Sequence, residues 1–292
     1  MKHYSVKVFA LTIILFVLSI FAIEYSIRHH FSQDSYYTQA VIAARNSEVK
    51  CAVFGDSHGA ASFRDELRNC FNFAAGGMGL AQIEDSVKSV RLHNSLSQVL
   101  ITFGPQMFSA ERVNNKSAVF ASIGQEFAPL YNPLVLQPLM FDRWKVWFKE
   151  QLFNAPDKTL TANTRHWGTI TESKQQQAIA LRLLKQTPLP GFQTSSTQQK
   201  LQAVIQDLKQ NGSEVCLVRT PVTADYAKVL QPVLDSTAWQ GLLAELQTAG
   251  AIVIDYQQLD AEFHDHEFIN EDHLNPAGAK IFSTLAYKAC FG

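Results

Sequence analysis

Five short apolar runs, each stopped by a glycine, a proline or a polar pair, limit what this chain can become: CAVFGDS from Cys51, CFNFAAGG from Cys70, QVLITFGP from Gln98, SEVCLVRTP from Ser213 and AIVIDY from Ala251. Runs this short, without polar alternation, are the pattern of strands buried on both faces. Helix-compatible stretches lie between and after them: HGAASFRDELR, GLAQIEDSVKSVRLH, STQQKLQAVIQDLKQNG, AWQGLLAELQTAG and a last one from Pro276. Strand alternating with helix predicts an α/β fold, a parallel sheet of about five strands joined by right-handed crossovers, with helices on both faces.

Composition removes other classes. With 25 Lys+Arg against 26 Asp+Glu the formal charge is −1, so no global field attracts phosphate backbones and no nucleic-acid partner is expected. Hydrophobic residues at 47 % and charged ones at 17 % exclude a disordered chain and allow a large core. The alternation is interrupted once, by an aromatic-rich insertion over 106–194, too long for a plain crossover. Within it Trp144, Trp147 and Phe148 share one helical face, which reads first as a packed stripe and second as a platform for a sugar or an acyl chain.

The N-terminus reads differently. Val8 to Ile23 holds no charged residue and is flanked by Lys2 and Lys7 before it and Glu24 and Arg28 after it. At 1.5 Å per residue the run rises about 24 Å, short of a ~30 Å hydrocarbon core, so Tyr25, Ile27 and snorkelling Lys7 and Arg28 must complete a span. An uncleaved membrane anchor over 1–27 is preferred to a cleaved signal peptide, because the run is long for an apolar signal core and no small-x-small site follows. A juxtamembrane stalk over 28–49 and the α/β domain over 50–292 follow it. The lysines favour a cytoplasmic N-terminus, hence a single-pass inner-membrane protein with its domain in the periplasm. Export would permit a bridge between Cys51 and Cys70, which open the first two strands, while Cys216 reads as a buried free thiol. The four cysteines show no C-x-x-C and no metal-ligand spacing.

Two segments carry chemistry. Phe54-Gly55-Asp56-Ser57-His58-Gly59 puts Ser57 at the carboxyl end of the first strand, where open α/β sheets bind ligands. Alone, the serine or Asp56 would read as a helix cap. Phe268 to Gly278 puts His273 in the loop between the last strand and the helix that Asn275 and Pro276 begin, on the same rim of the sheet. A strand-end serine and a pre-helix histidine are what nucleophilic acyl chemistry needs. His264, Asp265, His266, Asp272 and His273 form a competing metal-ligand set with no supporting pattern around it, so no metal is expected. No nucleotide fingerprint is present and no cofactor is expected.

GDSH, the Asn-x-x-x-Gly-Gly segment from Asn72, Gly104-Pro105-Gln106 and DHLNPAG together resemble the SGNH/GDSL hydrolase superfamily, over most of the chain from Lys50 apart from the insertion. The likeness is greatest to its membrane-anchored branch of polysaccharide O-acetyltransferases and D-alanyl-transfer proteins. The resemblance implies a flavodoxin-like three-layer sandwich, a Ser57 nucleophile, a His273 base, and oxyanion donors from Ser57 N–H and Gly76 or Gly77. Gln106 stands where the family has its third donor, an Asn, and Asn270 stands where it has its acid, with Asp272 beside the histidine as a substitute. His58 is expected to pack beside the serine or to contact substrate. The implied activity is acyl ester hydrolysis or O-acyl transfer on an acylated envelope or secreted glycan, or on a small acyl ester. The alternative is an inactive SGNH-fold subunit binding glycan or protein partners in an envelope complex.

Overall fold

A computed structural model of the chain describes residues 2–30, 43–44, 49–63, 70–114, 167–234, 237–259 and 262–292. The chain divides into two compact units, Met1–Ile42 with Ser122–Lys158, and Ala43–Ala121 with Thr159–Gly292. Of the expected insertion, the stretch up to Ala121 and that from Thr159 belong to the second unit. Trp144, Trp147, Phe148 and most of the expected stalk lie outside the described residues.

In the first unit, α1 spans Lys2–His30. Its apolar side chains from Val8 to Phe21 are exposed, Phe9 by 68 %. Among the described residues, however, no helix is long and apolar enough to cross a membrane. The expected transmembrane helix is therefore not supported.

In the second unit, β1 (Cys51–Phe54), β2 (Cys70–Asn72), β3 (Gln98–Thr102), β4 (Glu214–Arg219) and β5 (Ile252–Asp255) form one sheet in the order β2-β1-β3-β4-β5. All pairings are parallel, with Cys51 opposite Cys70 and Gln98, Leu100 opposite Cys216, and Cys216 opposite Ile252. This is the flavodoxin-like order, which reverses direction between β1 and β3 and opens a crevice at their carboxyl ends. The interiors of β1, β3 and β4 are wholly buried, as the unalternated apolar runs require: Ala52, Phe54, Val99 to Ile101 and Cys216 to Val218 are shut off from solvent, whereas the edge strand β5 is exposed at Ile252 and half-buried beyond it.

The described helices of this unit are α2 (Ser57–Ser62), α3 (Leu80–Arg91), α4 (Ala110–Val113), α5 (Glu172–Gln186), α6 (Ser196–Gln210), α7 (Ala224–Leu234), α8 (Thr237–Thr248) and α9 (Pro276–Phe291). Helix α3 buries Leu80, Ile83, Val87 and Val90, and α6 buries Leu201, Val204, Ile205 and Leu208, each an i, i+3/i+4, i+7 stripe. These two pack side by side with α8 next to α6, while α2 and α9 pack together. Asn275 caps α9 as the sequence predicts, accepting from Ala277 N and Gly278 N, with Pro276 in the first turn. Gly278 has to be glycine, since a Cβ there would lie 2.5 Å from the Glu267 carbonyl.

Two disulfides fasten this unit. Cys51–Cys70 joins the starts of β1 and β2 with Cα atoms 4.3 Å apart, and Cys216–Cys290 joins β4 to the end of α9 at 5.8 Å. Cys216 is thus not the free thiol the sequence suggested. Its partner sits 74 positions away on a helix whose packing against β4 no local pattern announces.

Candidate active site

The turn after β1 is built around Gly55 and Asp56. Gly55 has φ +153 and a Cβ on it would collide with Thr102 Oγ1, so the strand can leave the sheet here only through glycine. Gly59 faces the same Thr102 hydroxyl. Asp56 is the N-cap of α2, its Oδ1 accepting from His58 N at 3.0 Å. Ser57 begins α2 half-buried at the crevice. The 75–77 turn comes alongside, since Ala75 N donates to Gly55 O at 3.1 Å; within it Gly77 has φ +83 and Gly76 is exposed.

The histidine loop is fixed as tightly. Phe268 and Leu274 form an antiparallel bridge with both side chains buried, Ile269 N donates to His273 O at 2.9 Å, and Asn275 Nδ2 donates to His266 O at 2.6 Å. Buried Trp167 donates its backbone N–H to Phe268 O at 3.0 Å. Inside the loop Asn270 Oδ1 accepts from Asp272 N at 3.2 Å and His273 N at 2.9 Å, and stands 3.0 Å from His273 Nδ1. Asp272 Oδ1 is 2.7 Å from the same Nδ1 but lies off the hydrogen-bonding direction. Asn270 therefore orients the ring while Asp272 supplies the charge beside it. That division gives Nδ1 the proton and leaves the Nε2 lone pair for a general base.

The connection between the two segments is His58. Its Nδ1 is 3.0 Å from Asp56 Oδ1, its Nε2 is 3.1 Å from Asp272 Oδ2, and its ring stacks on that of His273 with centroids 4.7 Å apart at 18°. A carboxylate only accepts, so both ring nitrogens must carry hydrogen and the ring is an imidazolium. Burial opposes that charge, but Asp56 and Asp272 overcome it and push the His58 pKa up to about 10. Burial likewise works to raise Asp56, yet the His58 charge and hydrogen bonds, with Arg112, hold it down at about 2. Asp272 is held well below the usual carboxylate range by His58 and His273 against its own burial.

Other partners complete the network. Asp272 Oδ2 also receives Gln186 Nε2 at 2.9 Å and faces Arg182 Nε at 3.2 Å, while Arg182 Nε donates to Glu271 Oε1 at 2.5 Å. Arg112 Nη2 lies 3.8 Å from Asp56 Oδ2. Three carboxylates, Asp56, Glu271 and Asp272, thus face three cations, His58, Arg112 and Arg182. Gln106 turns inward: its Nε2 donates to Asp56 Oδ2 at 3.5 Å, and it lies 3.4 Å from His58 Nδ1 as a donor beside a donor.

Among the described residues, neither the Ser57 hydroxyl nor His273 Nε2 has a hydrogen-bond partner. Donor-type atoms of His58, Asp272 and His273 gather within 4.8 Å, whereas His264, Asp265 and His266 do not join them. With both His58 nitrogens facing carboxylates, that ring has no lone pair to give a metal. A small cavity of about 20 Å³ opens beyond His58, bordered by Gln186, Arg219, Tyr226 and Tyr256 but not by Ser57 or His273. Sequence reasoning noticed His58 without its role, and missed Arg112, Arg182, Gln186 and Glu271. The only local signal was the run of Asp56, Ser57 and His58 at one strand end; Arg182 and Gln186 reach the site from α5 by tertiary packing alone.

No family model matches the chain, and no curated protein is similar to it in sequence. Among solved structures, a proposed acylhydrolase from Bacteroides fragilis is 13 % identical with a TM-score of 0.41, covering 89 % of this chain and 96 % of that one. A proposed GDSL-like lipase from Parabacteroides merdae is 8 % identical with a TM-score of 0.38 over 84 % and 98 %. An α/β hydrolase from a lake metagenome is 10 % identical with a TM-score of 0.39 over 85 % and 97 %. At these values the chain is similar to them in outline only.

Proposed function

We propose that the chain is a serine acyl esterase or O-acyltransferase of SGNH type. The observation that carries this reading is His273, whose Nδ1 is held by Asn270 Oδ1 with the Asp272 carboxylate at 2.7 Å, leaving Nε2 unpartnered on the rim that also bears Ser57. Ser57 Oγ attacks the acyl carbonyl while His273 Nε2 takes its proton. The carbonyl π electrons move to the oxygen, which Ser57 N–H and the Gly76-Gly77 turn receive. Collapse expels the alcohol, protonated by His273, and leaves an acyl-Ser57 ester. Water, or a hydroxyl of an acceptor glycan, then releases the acyl group by the reverse sequence.

In this reading the substrate is an acylated envelope or secreted glycan, following the motif resemblance. The domain is exported. Two disulfides in one compact unit support an oxidising compartment, and the exposed uncharged run of α1 supports a lipid neighbour. The test is Ser57 reactivity: a fluorophosphonate probe labels the wild type and not Ser57→Ala, and the wild type turns over a small acetyl ester. One observation favours the second reading, an inactive subunit that binds glycan or protein partners: Gln106 Nε2 is turned to Asp56 Oδ2, away from an oxyanion. No labelling and no ester turnover by the wild type would select it.

A further inference from the structure

We propose that His58 is a positioning residue, a buried two-ended donor that ties the Ser57 turn to Asp272 and thereby sets which oxygen of Asp272 faces His273. The role rests on the esterase reading, but its physical basis stands apart from it. A residue immediately before a histidine is poorly placed to aim a carboxylate at that histidine's ring. Here the aim is imposed from outside the loop. Oδ2 of Asp272 is taken by two donors, His58 Nε2 and Gln186 Nε2, at 3.1 and 2.9 Å, with the charge of Arg182 Nε 3.2 Å away. With Oδ2 pinned, Oδ1 is what remains for His273 Nδ1, at 2.7 Å.

Of these groups, only His58 is also bonded to the turn that carries the serine, through Asp56 Oδ1 at 3.0 Å. The groups facing it from each surrounding element leave it charged. Asp56 comes from its own turn and Asp272 and His273 from the loop before α9; Gln106 from after β3 adds a neutral amide. Arg112 of α4 lies beyond Asp56, and Arg182 of α5 beyond Asp272, with Glu271 outside it. A neutral glutamine has donors at one end only, so it would leave one of the two carboxylates unpaired. Imidazolium is the side chain that spans the gap with N–H at both ends.

Two measurements on the full chain in detergent test this. Nitrogen NMR of the ring in wild-type protein should find both His58 nitrogens protonated at about pH 8, where an ordinary imidazole is neutral. A bare ring nitrogen there overturns the proposal. On a small acetyl ester, His58→Ala should lower kcat by roughly 100-fold with KM within about twofold, and added imidazole should restore much of it. Ser57→Ala should not respond to imidazole. Unchanged kcat, or a loss that imidazole leaves untouched in a folded variant, also overturns it. If His58→Ala does not fold, His58→Gln takes its place: a kcat equal to wild type's sinks the proposal, and a fall in kcat alone supports it. A wild type inert toward esters and the probe would remove the esterase reading, while the NMR result would still decide whether His58 is the charged bridge.

Discussion

His58 Nε2 and Asp272 Oδ2 stand 3.1 Å apart with 214 positions of chain between them, and the two side chains are 4 % and 0 % exposed. A pair so far from water needs further partners around it, because desolvating each charge costs several kcal/mol. The matching partners come from the turn after β1, the segment after β3, helix α5 and the loop before α9. The network is therefore where four separate segments of chain are held in register.

The first expectation is catalytic. Ser57→Ala and His273→Ala should each lower turnover of a small acetyl ester by roughly three orders of magnitude or more, and the double variant should be little worse, since the two act as one unit. Steady-state kinetics of the three variants check this; additive losses would contradict it.

Asn270 and Asp272 should separate by readout. Asp272→Asn removes the charge beside the ring and leaves His58 and Arg182 facing an uncompensated gap, so kcat should fall by about 1000-fold with about 3–5 kcal/mol lost in stability. Asn270→Ala should cost about 10–100-fold in kcat through a loosened ring. Urea melts beside kinetics would tell the two apart, and the reverse ranking would make Asn270 the principal partner.

Stability should fall as pH rises above neutrality. The unfolded imidazole loses its proton near 6.5 and the folded His58 near about 10, so the contribution is whole below 6.5 and is lost as pH climbs through 10. Between those values the slope should approach about 1.4 kcal/mol per pH unit from this one group. Asp56 has the opposite sign: its contribution is whole above 3.8 and lost as pH falls through about 2. Denaturation midpoints from pH 6 to about 10 should decline in wild type and flatten in His58→Gln; equal slopes would exclude the assignment.

Both disulfides should matter, and the longer closure more. With sequence separations of 19 and 74, the chain-entropy estimate gives about 3 kcal/mol for Cys51–Cys70 and about 4.5 kcal/mol for Cys216–Cys290. Paired serine variants measured by thermal melting should rank in that order. A thiol titration of the unreduced protein should find no free thiol.

The proposed export has its own test. A reporter active only outside the cytoplasm, joined after Gly292, should be active in cells; activity from a cytoplasmic reporter at that position would rule out the exported reading.

Sequence alone determined the elements whose signals are local. Buried-strand runs do not alternate, so Cys51–Phe54, Gln98–Thr102, Glu214–Arg219 and Ile252–Asp255 could be read as strands of a parallel sheet. Gly55 marked the turn that carries Ser57, and Asn275 with Pro276 marked the start of the helix behind His273, because cap chemistry acts over three or four residues. The tertiary structure decided everything that depends on distance through space. It joined Cys216 to Cys290, turned Gln106 inward, and divided the histidine's partners between Asn270 for direction and Asp272 for charge. It also placed His58 between two carboxylates and brought Arg182 and Gln186 to the second of them. A one-dimensional pattern carries no information about which buried charges meet; that is settled only when the crossovers bring their elements to one edge of the sheet, where each charge must find a partner or forfeit its ionisation.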